Sequence, residues 1–516
     1  MQKKSFLFLL FAFCGFWLST MLFFDNPKSL TRCNLILQTL ILCLYNPTEL
    51  PKNYRPVFYL DATLIVLLSW IINPQVWSVW LFLLIICEMM ILSKSHLSLD
   101  AISKLLLFVA GSFYLHFVTN TEIISIQHDF ASCYNYVEYI LENNFMFWNE
   151  NPLLTRPSYS SYHPILHFFI AAIFLGLAKS FGFSVIAANE GLQILTVSYM
   201  IWYGFLCAKI LKLFNPSKIV YAVCLAFIVL FPAYFTISGF INNDCLLLPL
   251  QAGTVYYAIL YAQRGKSTNL MLSVIYDVAA SLTKLSGILV LPVVGICILK
   301  RIYTQKKLHC LKEILVWGFV LITGISLWPL YQHFVLGINN ITFVPALAGV
   351  PLTSVSYWER FNPIYGLFYS DLFYQFYGVN LWKTLNQTAL FGEYDLSLRG
   401  QQILFFIHSL PLLYKALSVI IFIALGILVF MRKTDFLFIV SFILLLSLLI
   451  GEISFVLIHP YMCNQDFRYI ALLPLPWAMI LAQTLALVRP FMKYLLVCLL
   501  AVFSFLATFI WYWAVL

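Results

Sequence analysis

Residues 105–118, LLLFVAGSFYLHFV, are apolar over almost their whole length, and this run predicts a helix that crosses a membrane. A mixed stretch follows it, Ile126-Gln127-His128-Asp129-Phe130, which places an acid beside a histidine just past the predicted membrane surface. A carboxylate in that position is a candidate general base. The alternative interpretation is that Asp129 only caps a helix beginning near Ala131, because aspartate is a favoured N-cap residue.

The composition of the whole chain agrees with a membrane protein. Of its 516 residues, 62% are hydrophobic and 10% are charged, whereas a soluble domain has about 25% charged residues. Runs of roughly 20 apolar residues recur along the chain, which predicts an all-α, polytopic helical membrane bundle of about 13–15 spans. We interpret residues 1–516 as a single unit, divided into N-terminal spans 1–119, an outer loop 120–183, core spans 184–335, a large outer loop 336–407 and C-terminal spans 408–516.

The distribution of charge predicts how the bundle is oriented. The net charge is +9, but the basic residues cluster in short loops between apolar runs, which indicates membrane orientation and not nucleic-acid binding. The most basic loop, 300–312, is predicted to be cytoplasmic, and this places the 120–183 loop outside. In that loop, apolar spacing over 134–141 predicts a helix lying in the interface plane. Residues 165–178 are predicted to be interfacial or re-entrant, because a full span there would break the alternation of the loops.

Four charged side chains are predicted to meet at the outer face: Asp129, Asp244, Lys284 and Arg468. Charges at a membrane mouth are costly and usually mark a functional site. The two carboxylates offer general-base chemistry, and the two cations offer binding of an anionic group such as phosphate.

Lys284 and Arg468 each have an alternative interpretation. Lys284 stands at the tip of a predicted hairpin of two short helices, 268–283 and 286–300, where a lysine can also snorkel to lipid head groups. Asp466 is not expected to pair with Arg468, because residues i and i+2 of a helix do not face each other. The alternative for Arg468 is a structural ion pair with Asp129, Asp244 or Glu138.

The order of several motifs resembles the GT-C glycosyltransferase superfamily, on its protein O-mannosyltransferase-like and aminoarabinose-transferase-like branch. The first outer loop contributes Gln-His-Asp-Phe at 127–130, Tyr-Val-Glu-Tyr-Ile at 136–140 and Tyr-His-Pro-Ile-Leu-His at 162–167. The further motifs are Phe-Ile-Asn-Asn-Asp at 240–244, a Thr-Lys turn within 281–292 and Asp-Phe-Arg-Tyr-Ile at 466–470. The more usual Pro-Pro-Leu is His163-Pro164-Ile165-Leu166 here, and His-Asp replaces the Asp-Glu of the eukaryotic enzymes. The resemblance therefore fixes neither the lipid donor nor the acceptor.

The resemblance implies an enzyme that transfers a sugar from a polyprenyl-phosphate carrier to a lipid, glycan or protein, with inversion, at the outer face of the cell membrane. Asp129 would be the general base. Lys284 and Arg468 would stabilise the departing lipid phosphate. Asp244 would orient the acceptor or, together with Asp129, help to bind a divalent cation. Further substrate contacts are expected from His128, Glu138 and His163.

Two other classes of function stay open. A transporter or flippase of a lipid-linked sugar would also have many spans and buried charges, but the bias of the charges to one face and the large outer loop favour an enzyme. A polysaccharide polymerase or ligase is closer in chemistry. His163 and His167 are alternatively structural residues of the aromatic belt at the membrane interface.

Overall fold

The computed structural model describes residues 2–45, 98–123, 129–146, 159–305, 308–338, 350–364, 378–392, 403–430 and 435–515. His128 lies outside the described residues, as do the apolar segments 56–73 and 77–93, which the sequence predicts to be spans. The helices in chain order are α1 Gln2–Phe23, α2 Pro27–Tyr45, α3 Leu99–Thr119, α4 Phe130–Glu142, α5 Leu166–Ser180, α6 Val185–Lys212, α7 Lys218–Val229, α8 Ala233–Gly239, α9 Asn243–Arg264, α10 Ser267–Ser281, α11 Leu291–Gln305, α12 Leu308–Phe334, α13 Tyr357–Phe361, α14 Leu381–Phe391, α15 Leu404–Phe430, α16 Phe436–Ile458, α17 Pro474–Leu487 and α18 Pro490–Ala514.

Eight helices of the described residues are long and apolar enough to cross a membrane. Two bent helix pairs raise this number to as many as 10 if each pair counts as one span. One pair is α7 with α8, and the other is the 3₁₀ segment Met462–Ile470 with α17. The predicted all-α, polytopic membrane bundle is therefore confirmed.

The centre of the bundle is α9, which packs against α6, α10 and α11. In the most apolar 18-residue stretch of α9, 89% of the stretch is buried inside the protein. In the corresponding stretch of α12, only 11% is buried. A helix that is apolar all round is stable in such a central position because every face meets another helix. α12 lies at the periphery and turns large apolar side chains such as Phe319 and Ile322 outward, as a lipid-facing helix does.

Two helices of the segment 120–183 pack against each other. α4 buries Cys133, Tyr136, Val137 and Ile140, which recur at the spacing of one helix face. This face packs on α5. α5 has 15 residues, so it is shorter than a full span, as the sequence predicts for this segment.

The predicted hairpin around Lys284 is present, although its second arm begins as a 3₁₀ helix. α10 ends at Ser281, and the 3₁₀ helix Leu285–Val290 continues into α11. The two arms touch at Gly287, where an added Cβ would lie 2.5 Å from the backbone carbon of Ala280. Glycine is therefore required for this approach, which fixes the turn that carries Lys284.

Candidate functional site

Two helix breaks lie beside the candidate residues. α7 and α8 are bent by 51° across residues 230–232, and the chain then reaches the start of α9 at residue 243. The second bend, of 49°, separates the segment Met462–Ile470 from α17, which begins at Pro474. Non-helical backbone at membrane depth is tolerated only where protein buries it or where it lines a cavity. Protein largely buries the residues at both breaks, so both are compatible with a membrane bundle.

Asp244 and Lys284 form an ion pair inside the protein. The Lys284 Nζ atom donates to Asp244 Oδ1 over 2.5 Å, and the two side chains are 9% and 2% exposed. Asp244 lies in the first turn of α9, where the helix dipole favours a negative charge. Its other oxygen, Oδ2, is buried and accepts no hydrogen bond within the described residues.

The turn around Lys284 is clamped on both sides. The Asn243 side chain donates to the Thr283 carbonyl over 3.1 Å, which ties the turn to α9. On the other side, Lys284 Nζ lies 4.5 Å from the centre of the Tyr469 ring. A lysine held by a buried carboxylate and an aromatic face does not reach the lipid head groups, so the snorkelling interpretation of Lys284 is wrong.

Arg468 contacts two aspartates. Its Nε donates to Asp466 Oδ2 over 2.8 Å, and its Nη1 lies 3.6 Å from Asp129 Oδ2. The expectation that Asp466 does not pair with Arg468 is therefore wrong. Asp466 is the N-cap of the 3₁₀ helix Phe467–Ile470 and has extended backbone, so its side chain turns forward and also accepts from the Arg468 backbone N–H over 3.0 Å. The i, i+2 rule applies within a helix and not at its cap.

Asp129 is the accessible acid of the cluster. It precedes α4 at the N-cap position, but its side chain makes no capping hydrogen bond. The interpretation that Asp129 only caps a helix is therefore wrong. The carboxylate is 52% exposed and faces Arg468, whereas the side chain of Asp466 is 3% exposed. An acid that solvent and a substrate can both reach is suited to proton transfer.

His163 is partly buried beside the charged residues Asp244, Lys284, Asp129 and Arg468. His167, four residues later in α5, is fully buried. Burial, followed by the positive charge of Lys284, lowers the pKa of His163 to about 4, although Asp244 and Asp129 act in the opposite direction. Burial likewise lowers the pKa of His167 to about 4. Because His167 lies in the core with no exposed surface, its interpretation as an interfacial belt residue is wrong.

The remaining predicted residues are placed differently. Glu138 accepts hydrogen bonds from Tyr134 and Lys179, and it lies on α4 about 13 Å along the helix axis from Asp129. The structure therefore does not bring Glu138 into the cluster. No disulfide joins Cys133, Cys245 and Cys463 to one another, a question that the sequence leaves open.

A divalent cation at Asp129 and Asp244 stays a prediction. Among the described residues, no group of three or more histidine, cysteine, aspartate or glutamate side chains is arranged to hold a metal ion. Asp244 faces the ammonium group of Lys284 and Asp129 faces the guanidinium of Arg468. A metal ion at either carboxylate would therefore stand beside a positive charge.

Segments of the loop 336–407 form hydrogen bonds with the stretch of chain that carries Asp466 and Arg468. The backbone N–H groups of Leu352 and Met462 donate to the carbonyls of Pro460 and Val350, over 2.7 and 3.0 Å. Closer to the cluster, the Phe467 N–H donates to the Thr388 hydroxyl over 2.9 Å. The large loop therefore has a structural part in the site, which its sequence alone does not reveal.

Sequence reasoning missed two members of the site. Tyr469 lies in the motif Asp-Phe-Arg-Tyr-Ile at 466–470, but the sequence alone does not reveal its contact with Lys284. Glu452 is 2% exposed on α16, which packs on the 3₁₀ helices that follow Lys284 and Asp466. Its Oε1 has no hydrogen-bond partner among the described residues. The signal for Glu452 was a lone acid within an apolar run, which by itself indicates a functional site.

Basic residues lie at the opposite ends of the same helices. α9 extends for about 30 Å from Asp244 to its other end, where Arg301 packs against Gly265. Lys209 lies 5.5 Å from the ring of Tyr256, and Lys212 forms an ion pair with Asp100. The basic residues at this end of α6, α7, α9, α10 and α11 are Lys209, Lys212, Lys218, Arg264, Lys266, Lys300 and Arg301.

Comparisons of this chain with protein-family models and with curated proteins find no match.

Proposed function

We propose that this chain is a membrane glycosyltransferase that moves a sugar from a polyprenyl-phosphate carrier to a lipid, glycan or protein acceptor. The observation that carries the proposal is that two ion-paired groups, Asp244 with Lys284 and Arg468 with Asp129 and Asp466, lie on either side of Tyr469 and His163 at one end of a membrane bundle. Two cations suit the phosphate of the donor, and an exposed carboxylate beside them suits the acceptor hydroxyl.

In the proposed reaction, Asp129 takes the proton of the acceptor hydroxyl while the acceptor oxygen attacks the anomeric carbon. A new carbon–oxygen bond forms on the face opposite the phosphate, so the anomeric configuration inverts. The bond from the anomeric carbon to the phosphate oxygen breaks, and its electron pair leaves with the polyprenyl phosphate. Lys284 and Arg468 stabilise the charge that develops on that phosphate.

The unequal contacts of Arg468 explain how both substrates enter the same cluster. Its contact with Asp129 is long and half exposed, and such pairs contribute little stability. A donor phosphate at Arg468 replaces Asp129 and leaves that carboxylate available for the acceptor. Asp466 stays in place and holds the guanidinium.

The basic residues at the far end of the bundle support an outer location for the site. Lys and Arg are enriched on the cytoplasmic side of membrane proteins, and Arg264 and Lys266 lie at the opposite end of α9 from Asp244. We therefore place the cluster at the outer face of the cell membrane, where a polyprenyl-linked donor presents its sugar.

Transport or flipping of a lipid-linked sugar is the second candidate. The buried Asp244–Lys284 pair favours it, because ionisable pairs inside membrane bundles also occur along transport pathways. A polysaccharide polymerase or ligase would use the same chemistry with a glycan acceptor. The half-exposed Asp129, which neither caps a helix nor is buried, favours transfer.

The test uses purified protein with a radiolabelled polyprenyl-phosphate sugar. Transfer predicts release of polyprenyl phosphate, and Asp129→Asn should lower this rate by at least about 100-fold, because general-base catalysis contributes that much. The matched control is Asp100→Asn, at the opposite end of the bundle, which should keep the wild-type rate. Movement of the intact donor across vesicles without release of lipid phosphate would instead identify a transporter.

A further inference from the structure

A second polar group lies beneath the charged cluster. It consists of His167 on α5, Tyr199 on α6 and the Oδ2 atom of Asp244 on α9. The ring centres of His167 and Tyr199 are 6.1 Å apart, and the charge of Asp244 acts on His167. The three residues are 0%, 7% and 2% exposed, so they are buried where three helices meet.

The polar atoms of this group have no hydrogen-bond partner among the described residues. They are both ring nitrogens of His167, the hydroxyl of Tyr199 and Oδ2 of Asp244. Nearly all buried polar groups in folded proteins are paired, so these four atoms, carried by three helices that pack on one another, indicate a partner that the described residues do not supply. Tyr203, one turn further along α6, provides the contrast, because its hydroxyl is 3.0 Å from that of Tyr234.

The chemistry of the group is that of a site for neutral hydroxyls. A neutral imidazole offers one donor and one acceptor, a phenol offers both, and a carboxylate oxygen accepts. Burial keeps His167 neutral at pH 7, since its pKa is lowered to about 4. Lys284 is bound to Oδ1 of Asp244. The Asp244 carboxylate therefore contacts a cation through Oδ1, and its Oδ2 atom belongs to the uncharged polar group.

We propose that His167, Tyr199 and Asp244 Oδ2 form a sugar subsite, which binds hydroxyl groups of the donor while Lys284 and Arg468 bind its phosphate. This inference rests on the proposed function. The first residue of α5, Leu166, donates a backbone hydrogen bond to the Leu282 carbonyl over 2.9 Å, which ties the helix that carries His167 to the turn that carries Lys284.

The experiment compares polyprenyl phosphate with polyprenyl-phosphate mannose and polyprenyl-phosphate glucose, using thermal unfolding of the full-length protein in detergent. At least one sugar-bearing lipid should raise the Tm of the wild type more than the bare lipid does. Tyr199→Phe and His167→Phe should each abolish this additional rise and increase the donor KM about tenfold, the effect of losing one hydrogen bond. The Tm without ligand should stay the same or increase, because the removed atoms had no partner.

Tyr203→Phe is the matched control on the same helix. It should keep the sugar-dependent rise and the donor KM but lower the Tm without ligand, since it removes a hydrogen bond that the protein makes. The inference is wrong if Tyr199→Phe behaves like this control, or if the wild type is stabilised equally by bare and sugar-bearing lipids. A sugar-dependent rise that both variants lose, without release of polyprenyl phosphate, would keep the subsite and refute the proposed function. Transfer by the wild type with an unchanged sugar-dependent rise in both variants would refute the subsite alone.

Discussion

Arg468 contacts two carboxylates that differ in burial and in distance. Asp466 is nearly buried and bonds Arg468 over 2.8 Å, whereas Asp129 is half exposed and lies 3.6 Å away. Removal of one partner from a buried ion pair strands the other charge, but loss of an exposed pair costs little. Arg468 can therefore exchange Asp129 for a phosphate and keep its position.

Two substitutions of Arg468 separate these contributions. Arg468→Ala leaves the buried Asp466 without its cation and should lower the free energy of unfolding in detergent by about 3 kcal/mol. Arg468→Lys keeps the charge but loses the planar guanidinium, and we expect a donor KM about tenfold higher with a small change in stability. An unchanged donor KM in the lysine variant, together with early unfolding of the alanine variant, would leave Arg468 with a structural role only.

His163 should make stability depend on pH. Burial and Lys284 lower its pKa to about 4 in the folded protein, against about 6.5 in an unfolded chain. Between these values the unfolded chain binds a proton that the folded protein does not, so stability is lost as the pH falls from 6.5 to 4 and is unaffected above 6.5. His163→Gln should therefore show a smaller fall in Tm between pH 7 and pH 4.5 than the wild type. An identical fall in Tm in both proteins would show that protonation of His163 does not cause the loss of stability at low pH.

The sequence predicted correctly which residues lie at the same end of the bundle. It did not predict a contact that depends on the local backbone conformation. Asp129, Asp244, Lys284 and Arg468 meet because helix lengths and loop charges bring them to one end. The pairing of Asp466 with Arg468 depends on the extended backbone of a 3₁₀ N-cap, which helix periodicity cannot reveal.

Among the elements, the hairpin of α10 and α11 provides a direct test of how Lys284 is positioned. Gly287→Ala would place a methyl group 2.5 Å from the backbone of Ala280, so the two arms must separate and Lys284 must shift from Asp244. We expect a loss of stability and a fall in turnover of at least about tenfold. Gly295→Ala on the same hairpin meets no atom within 4 Å and should be neutral or slightly stabilising, because alanine favours the helix. Equal behaviour of the two variants in thermal unfolding and in turnover would contradict this account.

The sequence predicts the existence of most elements better than their interruptions. Apolar runs are long enough to identify α3, α6, α9 and α16 as membrane helices. Residues 218–235 form an apolar run that is long enough for one span, but they fold into two helices bent by 51°. Pro232 was a visible signal for the break, but the size and direction of a bend depend on packing against neighbouring helices, which no local pattern contains.

For the whole molecule, the proposed orientation can be measured by chemical labelling. Trp358 is 71% exposed near the site end of the bundle, and Tyr303 is 85% exposed near the basic end. In a background with the accessible native cysteines replaced, a membrane-impermeant thiol reagent should label Trp358→Cys in intact cells and Tyr303→Cys only after the membrane is opened. Labelling in the reverse order would place the cluster in the cytoplasm and refute the use of an outward-facing lipid donor.

The arrangement of ion pairs also has a consequence for how the protein is made. Asp244 lies in the first turn of α9, and Lys284 follows the end of α10, the next helix along the chain, whereas Arg468 has Asp466 two residues before it. Each lysine or arginine of the cluster therefore enters the bilayer with a counter-ion from its own stretch of nascent chain, which reduces the cost of inserting a bare charge. Arg468 leaves the ribosome roughly 10–45 s after Asp244 at ordinary elongation rates. During that interval Asp244 and Lys284 can already pair, so the insertion machinery can release the N-terminal helices before the segment that carries Arg468 is complete.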